Sequence, residues 1–464
     1  MNAVPASAPA DPKGAGAAAA AAASWELPLR TIPSYPGALA ELPAIVVDIA
    51  PDGELALLHD GTAKRFGDRD LLDVVRAALG DRPLRDVVAQ QGAHGTVLDE
   101  TTVDAAIAAA RGVGGLLSVG SGTVSDLAKA VAADLGIPLV AVQTAASVNG
   151  YSDSLSVLVR NGAKRTLPTT WPGALIIDHD VLAGAPAKLT RSGVGDAAAV
   201  WSSPADWYLA NALGLDTTWV EDSITPVREI AQALIDTPSD DPAALDALVD
   251  TLTIGGLGIG HTGTTAGLSG CEHLISHLLD MSAMARDTEH DLHGAQVGVA
   301  SVVSAALWEI ALDEVGLGRL DPSRMAPPEG LEETVKQSWA QVDPSGRVGA
   351  ECWTSVSKKV ATWDSHQESI GAFFADWNRH ETVFRRLTAP PETPAAALAN
   401  WGAPRRFSEL TPSVDADLAR WTLRTLPYMR DRFTVADLLL FAGRWDDALL
   451  DRVLERAAQA GGGL

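Results

Sequence analysis

Apolar residues in the first half of the chain fall into short blocks, separated by polar stretches or by helical spacing. From about Pro43, "AIVVDIA" and "ELALLHD" read as strands, and "DRDLLDVVRAAL" reads as an amphipathic helix. "DETTVDAAIAAARG" follows as a helix with a polar start and a glycine stop at Gly112. "GLLSVG", "IPLVAVQT" and "GALIID" supply three further strand candidates, each parted from the next by helix or loop. Such alternation predicts a parallel sheet with helices on both faces. After about Gly195 the strand-like blocks stop. Long helical stretches run to the end, among them "ITPVREIAQALIDT", "ALDALVDTLTIGGLGI", "GAQVGVASVVSAALWEIAL" and "TVADLLLFAGRWDDALLDRVLERAAQA". The expected organisation is an α/β domain over 43–195 and a helical domain over 196–464. Residues 1–42 precede the pattern and are expected to form a disordered or extended tail. Their first part, "MNAVPASAPADPKGAGAAAAAAAS", lacks the basic start and strongly apolar middle of an export signal.

Composition narrows the function. At 464 residues the chain is too long for one simple core, which agrees with two domains. A formal net charge of -24 excludes the basic footprint that a nucleic acid needs. Two cysteines, Cys271 and Cys352, make no disulfide framework and no CxxC motif, so a reducing cytoplasm is expected. No apolar run reaches the roughly 20 residues of a membrane span, so no span is expected. Several of the 13 tryptophans, Trp308, Trp339, Trp353, Trp363 and Trp377 among them, lie in the helical half and read as core packing.

The stretch "LLSVGSGTVSDLAK", Leu116–Lys129, passes from a buried strand through two glycines into a helix. A helix start offers unpaired N–H donors and a positive dipole end, which together seat a phosphate. Gly120 and Gly122 supply the turn. Ser121 and Thr123 add hydroxyls, Asp126 falls in the first helical turn, and Lys129 is placed to reach a ribose or phosphate oxygen. The dinucleotide pattern GxGxxG is not met, because Ser125 holds the sixth position, and an ordinary α/β junction has the same features. The next strand ends in "VAVQTAASVNGYSDS". Thr144, Ser147 and Asn149 thus sit at a strand end, where parallel sheets bind ligands, although a plain polar loop reads alike.

Three other pieces carry metal-ligand chemistry. "SGVGDAAAVW" puts Asp196 after what reads as a glycine turn. "GCEHLISH" puts His273 and His277 four apart, on one helix face, and "DLHGAQVG" puts His293 at a following helix start. A carboxylate and two imidazoles with an open position suit a catalytic zinc or iron. Histidines satisfied at a helix interface are the other reading. The pair is not HExxH, so a zincin protease is not indicated.

Taken in order, "GSGTVSDLAK", "TAASVNGYSDS", "GVGDAAAVWSSPADW", "CEHLISHLLDM", "LHGAQVG" and "MRDRFTVADLL" resemble the iron-containing alcohol dehydrogenase / dehydroquinate synthase-like superfamily, and within it the glycerol-1-phosphate dehydrogenase branch. The resemblance covers roughly residues 112–464, fits 43–111 loosely and leaves 1–42 unmatched. It implies a dehydroquinate synthase-like fold, in which a dinucleotide-binding α/β domain with a parallel sheet precedes an all-α domain. It implies NAD or NADP on Gly120, Ser121, Gly122 and Asp126, with Lys129 near and Thr144 and Ser147 as a second contact. It implies a metal, zinc with iron or nickel as alternatives, on Asp196, His273 and His293. His277 would stand beside substrate, and Asp196 would touch it too. The implied activity interconverts a small polyol phosphate, of the glycerol-1-phosphate type, with its ketone, of the dihydroxyacetone phosphate type. The alternatives are a sugar-phosphate cyclase of the same superfamily, or a homologue that binds metal and cofactor without turnover. A homo-oligomer is expected.

Three positions depart from the pattern. Asn149 stands where an Asp contacts substrate hydroxyls. Asp153 stands where a small hydroxyl residue lies near the cofactor, and its charge is expected to bear on the pyrophosphate or on cofactor choice. Ala295 replaces a Glu after the last ligand, which is expected to loosen the surroundings of the metal. Lys164 and Arg165 read either as phosphate binders or as an exposed basic loop.

Overall fold

The computed structural model describes residues 16–92, 96–160 and 163–464. They form two compact units. One takes in the described residues up to Arg160, Lys164–Gly193 and Asp240–Gly263, and the other is built chiefly from Val194–Ser239 and Thr264–Leu464.

The first unit carries a six-stranded sheet of β1 (Ser34–Tyr35), β2 (Leu55–His59), β3 (Leu84–Val88), β4 (Gly115–Gly120), β5 (Leu139–Gln143) and β6 (Ala174–Asp178). Its order is β1-β6-β5-β4-β2-β3, and every pairing is parallel. Strands β2, β4, β5 and β6 are buried at every position, as a sheet covered on both faces requires. Successive residues feed opposite layers. Ala56, Leu58 and Leu116 join a core with Val124, Leu127 and Val131, whereas Leu55, Leu57, Leu117 and Val119 join one with Leu42, Val46 and Ile176. The expected parallel sheet, clad on both sides, is therefore present.

Five helices matter below: α1 (Gly122–Leu135), α2 (Ala187–Ala197), α3 (Pro242–Thr262), α4 (Cys271–Arg286) and α5 (His293–Ile310). Among the described residues no named strand follows β6, so the helical character of the later chain is as expected. Trp308, Trp339 and Trp363 are fully buried, and Trp308 stacks on Phe384 at 5.2 Å. Cys271 and Cys352 are buried and form no disulfide.

Several expectations are corrected. "AIVVDIA" is no strand, because Leu42–Ile49 is a helix that buries Leu42, Ile45, Val46 and Ile49, the i, i+3, i+4, i+7 stripe, and leaves Val47 64% exposed. The tail is ordered where it is described. Ala17–Ser24 is a helix, Leu27, Leu29 and Ile32 are buried, and β1 joins the sheet. Residues 1–15 lie outside the described residues. The single boundary near 195 misses the return of Asp240–Gly263 to the first unit. Gly256 permits that return: a Cβ there would strike the Ser152 hydroxyl and the Asn149 carbonyl. Two helices, Pro242–Thr262 and His293–Val315, are after all long and apolar enough to cross a membrane, but 72% and 94% of their most apolar windows are buried inside the protein.

Candidate metal centre and cofactor turn

In the first unit the glycine turn is built as expected. Strand β4 ends at Gly120, Ser121 is the N-cap, and α1 begins at Gly122. The Ser121 side chain makes no capping hydrogen bond, so the first N–H groups of α1 are left to a ligand. A Cβ on Gly122 would lie 2.7 Å from Val148 Cγ2, so the bare backbone is needed to bring the turn against the strand-end loop. Thr123 is exposed beside it. The Thr144 N–H donates to the Gly120 carbonyl at 3.1 Å, which ties the end of β5 to the turn. Ser147 is buried, its carbonyl accepting from Ser192 Oγ at 3.3 Å. Asn149 is half-buried, and its carbonyl accepts from the Ser152 N–H and Oγ–H.

Lys129 and Asp153 are corrected from cofactor contacts to a buried ion pair. Lys129 is 1% exposed. Its ammonium donates to the Gly150 carbonyl at 2.6 Å, to Asp153 Oδ1 at 2.7 Å and to the Leu155 carbonyl, and lies 3.1 Å from Asp126 Oδ1. Nothing of it is left for a ribose or phosphate oxygen. Burial raises the Asp153 pKa to about 6 against the attraction of Lys129. Asp153 thus departs from the pattern as the lysine's counter-charge, not as a charge aimed at a pyrophosphate. Asp126 lies beyond the first turn of α1, partly exposed, and accepts from the Val157 N–H at 3.1 Å.

In the second unit Asp196, His273 and His293 converge, with one ligand atom from each lying within 4.8 Å of the other two. The chain before Asp196 is helix α2, not a turn. Its Gly195 lets backbone meet backbone, because a Cβ there would strike the Gly294 carbonyl at the start of α5. That approach sets Asp196 against His293, with Nε2–Oδ1 3.8 Å, while His273 Nε2 lies 3.4 Å from the same oxygen. His277, one turn along α4, stacks on the His293 ring at 5.5 Å.

Both ligand imidazoles are aimed from behind. His273 Nδ1–H donates to Glu272 Oε1 at 3.1 Å, since a carboxylate can only accept. Glu272 is fully buried and also accepts from the Gly270 N–H at 2.6 Å and Ser202 Oγ at 3.0 Å. Burial pushes its pKa up, but its bonds to His273 and Gly270 prevail and hold it below the ordinary value. Ser276 Oγ donates to Gln296 Oε1 at 2.7 Å and accepts from His293 Nδ1 at 2.9 Å. Each Nε2 is thereby turned toward Asp196, the arrangement expected of histidine ligands around a cation. Burial lowers the pKa of His273, yet hydrogen bonds to Asp196 and Glu272 outweigh it and raise it to about 9. A metal entering the cluster displaces that proton. The donor set fits a divalent zinc- or iron-type ion. Glu272, Ser276 and Gln296 escaped the sequence reading, although a carboxylate beside a ligand His was visible. With Ala295 in place of a Glu, it is Glu272, Ser276 and Gln296 that surround the two imidazoles with hydrogen bonds.

One unit thus carries a parallel sheet with a helix-start turn, and the other an Asp-His-His cluster that could hold a metal ion. Residues 34–186 match the family model of iron-containing alcohol dehydrogenase. A glycerol-1-phosphate dehydrogenase (NAD(P)+) from Methanothrix thermoacetophila is 30% identical over 61% of this chain and 77% of that protein. Proteins of the same name from Bacillus licheniformis and Bacillus subtilis are 29% and 28% identical over 58% and 49% of this chain. The matches span 67% and 59% of those two relatives' own lengths. Among solved structures, a probable glycerol dehydrogenase from Sinorhizobium meliloti 1021 aligns with TM-score 0.55 at 15% identity, covering 93% of this chain and 97% of that one. Glycerol dehydrogenase from Schizosaccharomyces pombe aligns with TM-score 0.53 at 15% identity, covering 93% and 91%. At such identities these two show the fold alone. The chain belongs to the iron-containing alcohol dehydrogenase family.

Proposed function

We propose that the protein is a metal-dependent, NAD(P)-linked dehydrogenase that interconverts a small polyol phosphate of the glycerol-1-phosphate type with its ketone. The Asp196–His273–His293 cluster, with both imidazoles already aimed by Glu272 and Ser276, is the observation that carries this reading. When bound, a divalent metal supplies Lewis acidity to a substrate oxygen, and NAD(P) supplies the hydride acceptor or donor. The residues of the chain do the rest. Asp196, His273 and His293 hold the cation. The N–H groups at Gly122 and Thr123 hold the cofactor's pyrophosphate on the positive end of α1. The His277 imidazole takes up the hydroxyl proton and returns it in the reverse direction. Asn149 offers substrate hydroxyls neutral hydrogen bonds in place of a carboxylate. The relatives' names support the substrate class, and two buried cysteines that form no disulfide suit a cytoplasmic location.

The test is turnover of the metal-loaded protein. Purified protein reconstituted with zinc, iron or nickel should oxidise NADH or NADPH when dihydroxyacetone phosphate is added, and His273→Ala should abolish both metal retention and turnover. Full metal occupancy in that variant would refute the ligand assignment. No oxidation with any of the three metals would refute the substrate class.

A further inference from the structure

The first unit holds a second constellation, which the dehydrogenase reading does not use. Ser34 lies in β1, the outermost strand of the sheet; His179 follows the end of β6; Asp246 lies on α3. Ser34 Oγ is 3.0 Å from His179 Nε2, and His179 Nδ1 is 2.7 Å from Asp246 Oδ1. With a neutral imidazole the direction of both bonds follows. The Asp246 carboxylate only accepts, so Nδ1 carries the ring proton. The bare Nε2 then accepts from the Ser34 hydroxyl. This is the order and orientation of a nucleophile, a base and a group that orients the base.

The backbone around Ser34 and His179 is tied down, while Asp246 is exposed. Asp178, fully buried between the two strand ends, accepts from the Gly37 N–H at 3.1 Å, the Leu39 N–H at 2.8 Å and the Asp180 N–H at 2.9 Å. It thereby fixes the backbone after Ser34 to the backbone on either side of His179. Parallel register sets Ser34 opposite Ile177 and Tyr35 opposite Asp178, so the pair meets at the carboxyl ends of two parallel strands, where such sheets bind ligands. Ser34 and His179 are only half-buried, so a small molecule can reach the hydroxyl.

We propose that Ser34, His179 and Asp246 form an acyl-transfer site that takes small activated esters. Ser34 Oγ bonds to the acyl carbon while His179 Nε2 takes the hydroxyl proton. The ester's C–O bond breaks, and that proton passes to the departing alkoxide. Water, deprotonated by the same Nε2, then cleaves the acyl-serine, releasing the carboxylic acid and restoring the hydroxyl. Nothing is oxidised or reduced, and water is the only co-reactant. Asp246 is a positioning residue, acting through the imidazole.

The experiment uses the full chain with a fluorophosphonate probe and with p-nitrophenyl acetate. Intact mass should show one phosphonyl group added, peptide mapping should place it on Ser34, and p-nitrophenolate release should show an acylation burst. Ser34→Ala should lose label and burst, with unfolding temperature reporting that it is folded. Asp246→Asn should slow acylation on the order of tenfold and alter its pH profile, which a merely structural change would not do. Absence of label on the wild-type protein, a label mapped to another residue, or a burst unchanged in Ser34→Ala would overturn the proposal. The peptide map of the wild-type protein decides even if a variant fails to fold.

Discussion

Glu272 shows how much of the Asp196–His273–His293 cluster rests on a residue outside it. Its carboxylate orients His273, and its other contacts, Gly270 and Ser202, hold it still. Glu272→Gln should therefore lower metal affinity by roughly 10- to 100-fold without removing a ligand, as read by competition with a chelator. The grouping of Asp196, His273 and His293 was expected from the family resemblance, because the HxxxH spacing alone pairs His273 with His277 and does not point to Asp196. Lys129 was not foreseen as buried. Its partner Asp153 is 24 residues away, and only the fold brings the two together and removes them from water. Lys129→Met leaves Asp126 and Asp153 without their cation, and should destabilise the protein by about 3–5 kcal/mol in denaturant titration. Adding Asp153→Asn to that variant should recover part of the loss.

Helix ends and helix contacts were read less well than the residues on them. Leu42–Ile49 has a helical stripe, but its run of β-branched residues has strand propensity, and packing decided between them. The glycines around Asp196 suggested a turn, whereas they serve close contact between α2 and α5. One buried carboxylate joins helix starts that are far apart in sequence. Asp206 accepts from the Cys271 N–H of α4 and from the Val435 N–H of the Val435–Phe441 helix, both at 2.9 Å. Burial, and then the nearby charge of Glu272, raises its pKa from 3.8 to about 7. A raised acid binds its proton in the folded state over a window where the unfolded chain has lost it. Its contribution is present at low pH and is lost as pH rises from about 4 to about 7. The unfolding free energy of wild type minus that of Asp206→Asn should fall across that window and level off above it, as measured by urea titration at each pH.

For the molecule as a whole, strand-helix alternation announced the parallel sheet, and the loss of alternation announced the helical unit. What composition could not reveal was to which unit a given helix belongs. Helix α3 looks like its helical successors, and only its glycine-rich "TIGGLGIG" hints at backbone packed on backbone. A metal held by Asp196, His273 and His293 would draw ligands from α2, α4 and α5 at once, so it should stabilise the helical unit as a body. At a free zinc concentration 100 times the dissociation constant the gain is about 2.7 kcal/mol, and chelation should lower the unfolding temperature reversibly in calorimetry.

The return of Asp240–Gly263 also governs the order in which a nascent chain can mature. When Gly193 leaves the ribosome, the sheet still lacks the helix that covers the Asn149–Ser152 loop, and Val194–Ser239 of the other unit must be synthesised first. The two units are interleaved during translation, and no single cut in the coding sequence separates them. A chain stalled before Gly263 presents an uncovered loop to chaperones and proteases rather than a finished parallel-sheet unit.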